Sequence, residues 1–313
     1  MPRSGTTWLG KIFDSHPDTL YRHEPDDSRT FSAIPLFVPP MNSADYAEPI
    51  RHFANTLPKI STTKVAGTLP SFAKSYFNHI QFQWYNLSVL FAKFGAKVFG
   101  EFPVVYGYKN KKAQNTRIVW KSIESLGRFG AIVEAVPQCN AILMIRHPCG
   151  YIASIMKGES KHKFSAKDSI TNDTGLFSML CETEQAKTLG FDQRLFERSK
   201  PVERLAWLWL IVNEKALVEA QGNERSMVIR YEDLCEDPVQ TAKTMFEFTG
   251  LQWSQQTAAF LESSSTQNQS GYYSVFKDSK KSAYKWKNEL SKEDIDSIYR
   301  IINDTLAGKL YLT

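Results

Sequence analysis

Apolar positions along this chain fall into short blocks with two different periods. Trp8, Leu9, Ile12 and Phe13 fall on one side of a helix that Pro17 stops, so residues 2 to 7 read as a loop feeding a helix N-terminus. The extended run Thr19-Leu20-Tyr21-Arg22-His23 then ends at Glu24-Pro25, where proline disfavours helical geometry and leaves Glu24 at a strand end. Three more apolar runs, Arg117 to Lys121, Ala141 to Ile145 and Met227 to Tyr231, have the unbroken character of buried parallel strands. Helices are predicted over Glu124 to Ala135, Gly150 to Lys157, Pro201 to Gln221 and Pro238 to Thr249, the last closed by Gly250. Strands alternating with helices predict an α/β fold with a central parallel sheet flanked by helices in three layers. Such sheets bind ligands beyond the carboxyl ends of their strands, where the first loop, Glu24, Lys121 and Arg146 all fall. From about residue 26 to 115 many aromatics stand among prolines and polar residues, which reads as a helical and looped cap on one end of a single domain spanning 1–313.

At 313 residues, 42% hydrophobic and 23% charged, the chain can bury a large core and has no disordered or collagen-like bias. A net charge of +5, dispersed except between Lys277 and Lys287, favours a small anionic ligand and argues against nucleic acid as a partner. The four cysteines, Cys139, Cys149, Cys181 and Cys235, lack the close spacing of a zinc knuckle or a disulfide framework. No metal is expected, and thiols of a reducing, cytoplasmic compartment are. No run of eighteen apolar residues predicts a membrane span.

The chemistry-bearing stretch is Pro2-Arg3-Ser4-Gly5-Thr6-Thr7-Trp8-Leu9. A Ser-Gly-Thr-Thr turn before a helix supplies convergent backbone N–H groups, hydroxyls and the positive end of a helix dipole, which suits a phosphate or sulfate. Gly5 lets the backbone approach closely, and Arg3 can fork onto two oxygens of the anion. The Gly-Lys-Ser/Thr ending of a nucleoside-triphosphate loop is missing, which disfavours ATP. With His16-Pro17 and Tyr21-Arg22-His23-Glu24-Pro25 following, the segment resembles the start of sulfotransferases that use 3′-phosphoadenosine 5′-phosphosulfate (PAPS), the carbohydrate-type and related bacterial members especially. The resemblance runs from residue 2 to about residue 312 and is weakest in the cap.

That resemblance implies a P-loop-like fold, PAPS as co-substrate and transfer of a sulfonate group to a hydroxyl of a saccharide or another small alcohol. It implies that Arg3, Ser4, Gly5, Thr6, Thr7 and Trp8 cradle the 5′-phosphosulfate and that Arg146 and Ser154, in Arg146-His147-Pro148-Cys149-Gly150-Tyr151-Ile152-Ala153-Ser154, hold the 3′-phosphate. Tyr231, in Tyr231-Glu232-Asp233-Leu234, corresponds to the residue near the adenine, with a strand-end core aromatic as the alternative. Lys277, Lys280, Lys281 and Trp286 fall in the family's closing segment over the nucleotide, where each lysine is equally readable as a solvated surface charge. Lys121 matches the lysine near the bridging oxygen, and Glu24 the carboxylate base. His23 is the competing base, because strand alternation turns only one of the two toward the acceptor. Burial with an adjacent donor is expected to raise the basicity of Glu24.

Family members place a hydrophobic strand just before the loop, whereas here Met1 directly precedes Pro2. The central strand is therefore expected to be missing, as in a fragment, and a Golgi membrane becomes the alternative compartment if an N-terminal anchor has been lost. A catalytically silent nucleotide-binding protein and a P-loop kinase are the competing functions. The oligomeric state is left open.

Overall fold

The computed structural model describes residues 1–27, 31–100, 102–104, 116–160, 169–266 and 279–312. Helix α1 (Thr6–Asp14) leads into β1 (Thr19–His23), which pairs in parallel with β2 (Arg117–Lys121) so that His23 lies abreast of Lys121. Strand β3 (Ala141–Ile145) pairs in parallel with β4 (Ser226–Arg230), bringing Ile145 abreast of Arg230. The apolar runs thus form the strands they predict, and the chain is α/β with parallel strands. Between β1 and β2 run α2 (Ala47–Thr56), α3 (Thr63–Ala66) and α4 (His79–Phe99). This is the stretch expected as a cap; among its described residues the one strand-like pairing is an isolated bridge between Thr62 and Pro103.

Two elements differ from expectation. The helix predicted from Glu124 begins as a 3-10 turn over Ser125–Arg128 before α5 (Phe129–Ala135). Tyr231 does not end β4 but opens α11 (Tyr231–Glu236), where Glu232 and Asp233 complement the helix N-terminus and Arg230 pairs with Asp233 at i, i+3.

The central sheet is not continuous among the described residues. The two strand pairs stand apart, and a cavity of about 520 Å³ lies between them, lined along β2 by Arg117 to Lys121 and along β3 by Ala141 to Met144. A slot therefore lies between β2 and β3. Met1 and Thr6 line this slot, so the N-terminal loop crosses the gap between the two pairs.

The core sits on the β3/β4 side. There α6 (Pro148–Ser160) and α10 (Pro201–Ala220) pack with Tyr151, Ile152, Ile155, Leu205, Trp209 and Ile211 fully buried. Helix α10 is apolar on nearly every side, as a helix enclosed by the domain must be. Pro201 opens it, and the Glu203 carboxylate accepts the Lys200 N–H at 2.8 Å. Short helices α7 (Thr174–Cys181), α8 (Glu184–Thr188) and α9 (Gln193–Arg198) close one side of it, and α12 (Pro238–Thr249) and α13 (Gln255–Thr266) cover α1. Gly250 closes α12 at φ 68°, the left-handed conformation the sequence calls for. Helices α14 (Ser279–Tyr284) and α15 (Lys292–Ile302) return the chain to α11 and α10.

Candidate functional site

The N-terminal loop is held in a conformation most side chains resist. Arg3 has φ 64° and Gly5 φ 84°, and a Cβ on Gly5 would lie 2.4 Å from the Tyr231 ring. Gly5 is the N-cap of α1, and no side chain caps the turn. The carbonyl of Gly5 accepts from Trp8 and Leu9, while the leading N–H groups of α1, at Thr6 and Thr7, remain to meet an anion at the positive end of the helix. Ser4 is buried beside them. Trp8 faces inward, its indole N–H donating to Ser264 Oγ at 3.0 Å, so it anchors α1 within the domain.

The loop and the strand-end arginine are physically joined. Arg3 Nε donates to Ser154 Oγ at 3.1 Å, and Arg146 Nη1 donates to the Arg3 carbonyl at 2.8 Å. Arg146 Nη2 reaches the Ser282 carbonyl on α14 at 3.1 Å, and its guanidinium lies 4.8 Å from the Tyr231 ring centre. Tyr231 is thus wedged between Gly5 and Arg146. Trp286 is buried and stacks on His147 at 4.4 Å with the rings 15° from parallel. Two buried donors here, Arg146 Nε and Trp286 Nε1, have no partner among the described residues, and a Cβ on Gly150 would sit 3.1 Å from that Nε and 3.4 Å from Trp286 Cδ1. Unsatisfied buried donors facing a bare glycine suit a compact anion. Lys280 and Lys281 are exposed on the neighbouring α14, and Lys277 lies outside the described residues.

At the ends of β1 and β2 a second cluster forms. Parallel register sets His23 beside Lys121, and the Glu24 N–H donates to the Lys121 carbonyl at 2.8 Å. Glu24 has φ 48°, which breaks the strand alternation. His23 and Glu24 therefore share one cluster instead of facing opposite ways: His23 Nε2 is 3.6 Å from Glu24 Oε1, and Lys121 Nζ donates to that same oxygen. His23 Nδ1 meets the Tyr21 hydroxyl at 2.8 Å.

Burial pushes the Glu24 carboxyl up, but Lys121 and the other nearby cations outweigh it and hold the group below the usual carboxylate range. The expected rise in its basicity is thus reversed by the Lys121 ion pair. Burial also lowers Lys121, against the pull of Glu24. His23 is pushed down to about 4 by burial and by Lys121, and His147 to about 4 by burial and nearby cations, so both rings are neutral at pH 7.

This has a consequence for acid stability. Each histidine binds its proton more readily unfolded than folded, so its stabilising contribution is complete above the ordinary value near ~6.5 and is lost as pH falls toward about 4. The unfolding free energy from urea titration should drop across that window, by up to ~3 kcal/mol per histidine, and His147→Gln should flatten part of the drop.

Several supporting residues carry no sequence signal of their own. Asp26 accepts the Trp120 indole N–H at 3.0 Å and the Ser122 and Ser125 hydroxyls, fixing the turn after Lys121. Glu232 accepts the His147 N–H at 3.1 Å and the Tyr311 hydroxyl at 3.2 Å, and Trp209 Nε1 donates to the Arg146 carbonyl at 2.9 Å. These bonds aim Arg146. A spacing pattern could not have found them, because the partners are up to 99 residues apart in sequence.

A second cavity, about 1130 Å³, lies alongside β1 and is lined by Tyr21, Phe72, Tyr76, Phe77 and Tyr85, with Arg22 and Lys74. Both cations are committed to main-chain carbonyls, Arg22 to Leu57 and Pro58 and Lys74 to Asp14 and His16. Its wall thus offers five aromatic rings beside uncharged polar residues such as Ser61, Ser71 and Gln81. Neither His23 nor Glu24 lines it. Among the described residues no group of side chains could hold a metal ion, and no helix is long and apolar enough to cross a membrane.

The sequence model described as the sulfotransferase family matches residues 1–255. No curated protein matches the chain. Among solved structures, the "Sulfotransferase Domain from the Curacin Biosynthetic Pathway" is similar at 16% identity, over 96% of this chain and 93% of its own, with a TM-score of 0.46. The "Sulfotransferase Domain from the Synechococcus PCC 7002 Olefin Synthase" is similar at 15% identity, over 97% and 92%, with a TM-score of 0.44.

Proposed function

The chain belongs to the sulfotransferase family, and from that premise we propose that it transfers a sulfonate group from PAPS to a hydroxyl of a saccharide or another small alcohol. The observation that carries the donor half is the joining of the α1 loop to Arg146 and Ser154, beside two buried donors that lack partners. When bound, PAPS supplies the sulfonate and a phosphate leaving group. The N–H groups of Thr6 and Thr7, the loop residues Ser4 and Gly5, and the Arg3 side chain hold the 5′-phosphate. Arg146 Nε, Trp286 Nε1 and Ser154 hold the 3′-phosphate, with Lys277, Lys280 and Lys281 adding positive charge, and Tyr231 borders the adenine.

Positioning and electrostatics dominate such a transfer. Lys121 neutralises negative charge on the bridging oxygen, and Glu24 takes the proton of the acceptor hydroxyl. For Glu24 to do so, Lys121 must turn from it toward the donor, which returns basicity to the carboxylate at the moment both groups are needed. Neutral His23, tied to Tyr21, is the alternative acceptor of that proton. The aromatic wall of the 1130 Å³ cavity supports a ring-bearing acceptor such as a sugar, brought in through a cap at residues 26–115 of a single domain.

Calorimetry with 3′-phosphoadenosine 5′-phosphate against ATP tests the reading. Micromolar binding of the bisphosphate with little for ATP is the expected result. Preference for ATP would mean a kinase-like site, and binding of neither would mean that the donor assignment is wrong. Sulfated-product formation over a panel of sugars, phenols and alcohols then identifies the acceptor.

A further inference from the structure

Helix α4 is apolar on two opposite faces. Asn78 caps it, accepting the Gln81 N–H at 2.8 Å while Gln81 Oε1 accepts the Asn78 N–H at 2.9 Å. One face is used by the fold: Val89 and Ala92 are buried with Val104, and the Tyr85 hydroxyl donates to the Ala66 carbonyl at 2.9 Å. Among the described residues nothing covers the other face. Ile80, Trp84, Leu87, Phe91, Phe94 and Val98 are exposed, Phe94 by 70% and Phe91 by 65%. Leu90 and Phe99 flank them, also exposed.

The spacing of the exposed set is 4, 3, 4, 3, 4, the 3.5-residue period that keeps one seam turned toward a second helix. Together these side chains leave on the order of 1,000 Å² of apolar surface open, beyond the largest patch of an ordinary monomer and above the roughly 800 Å² each partner buries in a stable interface. A helix apolar all round is one that ends up buried, and here half of the covering is missing.

We propose that α4 pairs antiparallel with α4 of a second copy of this chain, forming a two-fold symmetric dimer. The spacing of the seam is palindromic, so it is self-complementary under a two-fold axis near residue 89. In that register Ile80 meets Val98 of the partner subunit, Trp84 meets Phe94 of the partner subunit, and Leu87 meets Phe91 of the partner subunit. Charge selects the direction. The only lysines of α4 are Lys93 and Lys97, both in its second half, and it carries no carboxylate. Antiparallel pairing sends the two lysine pairs to opposite ends, whereas parallel pairing gathers all four at one end with nothing to offset them.

Sedimentation equilibrium of the full chain tests this. The unaltered protein is expected to be a dimer, and Phe91→Glu with Phe94→Glu to weaken dimerisation on the order of 100-fold or more with far-UV circular dichroism unchanged, since both side chains point away from the fold. A second measurement does not depend on that variant folding. In the antiparallel register Leu90 lies two residues along the seam from Leu90 of the partner subunit, so Leu90→Cys should join two chains through a short bismaleimide beyond the background of the native cysteines. Gln83→Cys should not. A chain that stays monomeric at all concentrations, or cross-linking of Gln83→Cys without Leu90→Cys, overturns the proposal. A monomer that sediments with phosphatidylcholine–phosphatidylserine vesicles, and ceases to when Phe91 and Phe94 are replaced, assigns the face to a lipid surface instead.

Discussion

Glu24→Gln is expected to lower kcat by ~10²- to 10⁴-fold, the range for loss of a positioned general base, while leaving the affinity for 3′-phosphoadenosine 5′-phosphate within about twofold. The substitution keeps the volume and an acceptor oxygen for the buried Lys121 Nζ, although it removes the counter-charge. What it removes is the capacity to take a proton. The nucleotide-holding side chains belong to a separate cluster built on Arg3, Arg146 and Ser154, so binding should survive. Stopped-assay turnover and calorimetry on the same preparation read the two quantities.

His23 is the natural control, because it lies 3.6 Å from the Glu24 oxygen and is neutral at pH 7. A pH profile does not separate the two candidates: Glu24 is held below the carboxylate range and His23 near 4, so either would be deprotonated and give a flat profile across neutrality. Substitution does separate them. Normal turnover in Glu24→Gln together with loss in His23→Gln would move the base to His23.

Much of the frame behind these residues is written in the order of apolar runs. Thr19–His23, Arg117–Lys121 and Ala141–Ile145 form strands with the bounds their sequences suggest, because each is a short unbroken apolar or β-branched block closed by polar residues. Chain direction and parallel pairing then carry Glu24, Lys121 and Arg146 to strand ends. Side-chain direction at those ends was not legible. Alternation predicts that His23 and Glu24 diverge, but the left-handed backbone at Glu24 brings them together, and no periodicity encodes a single residue's φ. Nor could the basicity of Glu24 be read from its burial, since Lys121 arrives from 97 residues away. The exposed seam of α4 was hidden for a related reason: aromatics in a proline-bearing stretch look like core until the structure reveals which face the fold has used.

Arg146→Ala is expected to weaken binding of 3′-phosphoadenosine 5′-phosphate by about 100-fold, the worth of about one strong charge-assisted hydrogen bond from its Nε, and to do so before any change in chemistry. The side chain clamps three elements at once: the N-terminal loop through the Arg3 carbonyl, α14 through the Ser282 carbonyl, and the Tyr231 face. Losing it could therefore disturb the loop without any direct part in holding phosphate. Two comparisons separate these effects. If Arg146 meets the 3′-phosphate, the preference for the bisphosphate over adenosine 5′-monophosphate, which lacks that group, should collapse in the variant, whereas a loosened loop would weaken both ligands alike. Arg146→Lys keeps the charge but cannot reach two carbonyls and an anion together, so it should recover only part of the preference. A variant that binds both nucleotides tenfold more weakly with their ratio intact would reassign Arg146 from ligand contact to the positioning of Arg3, and leave Trp286 Nε1 and Ser154 as the donors at that end of the site.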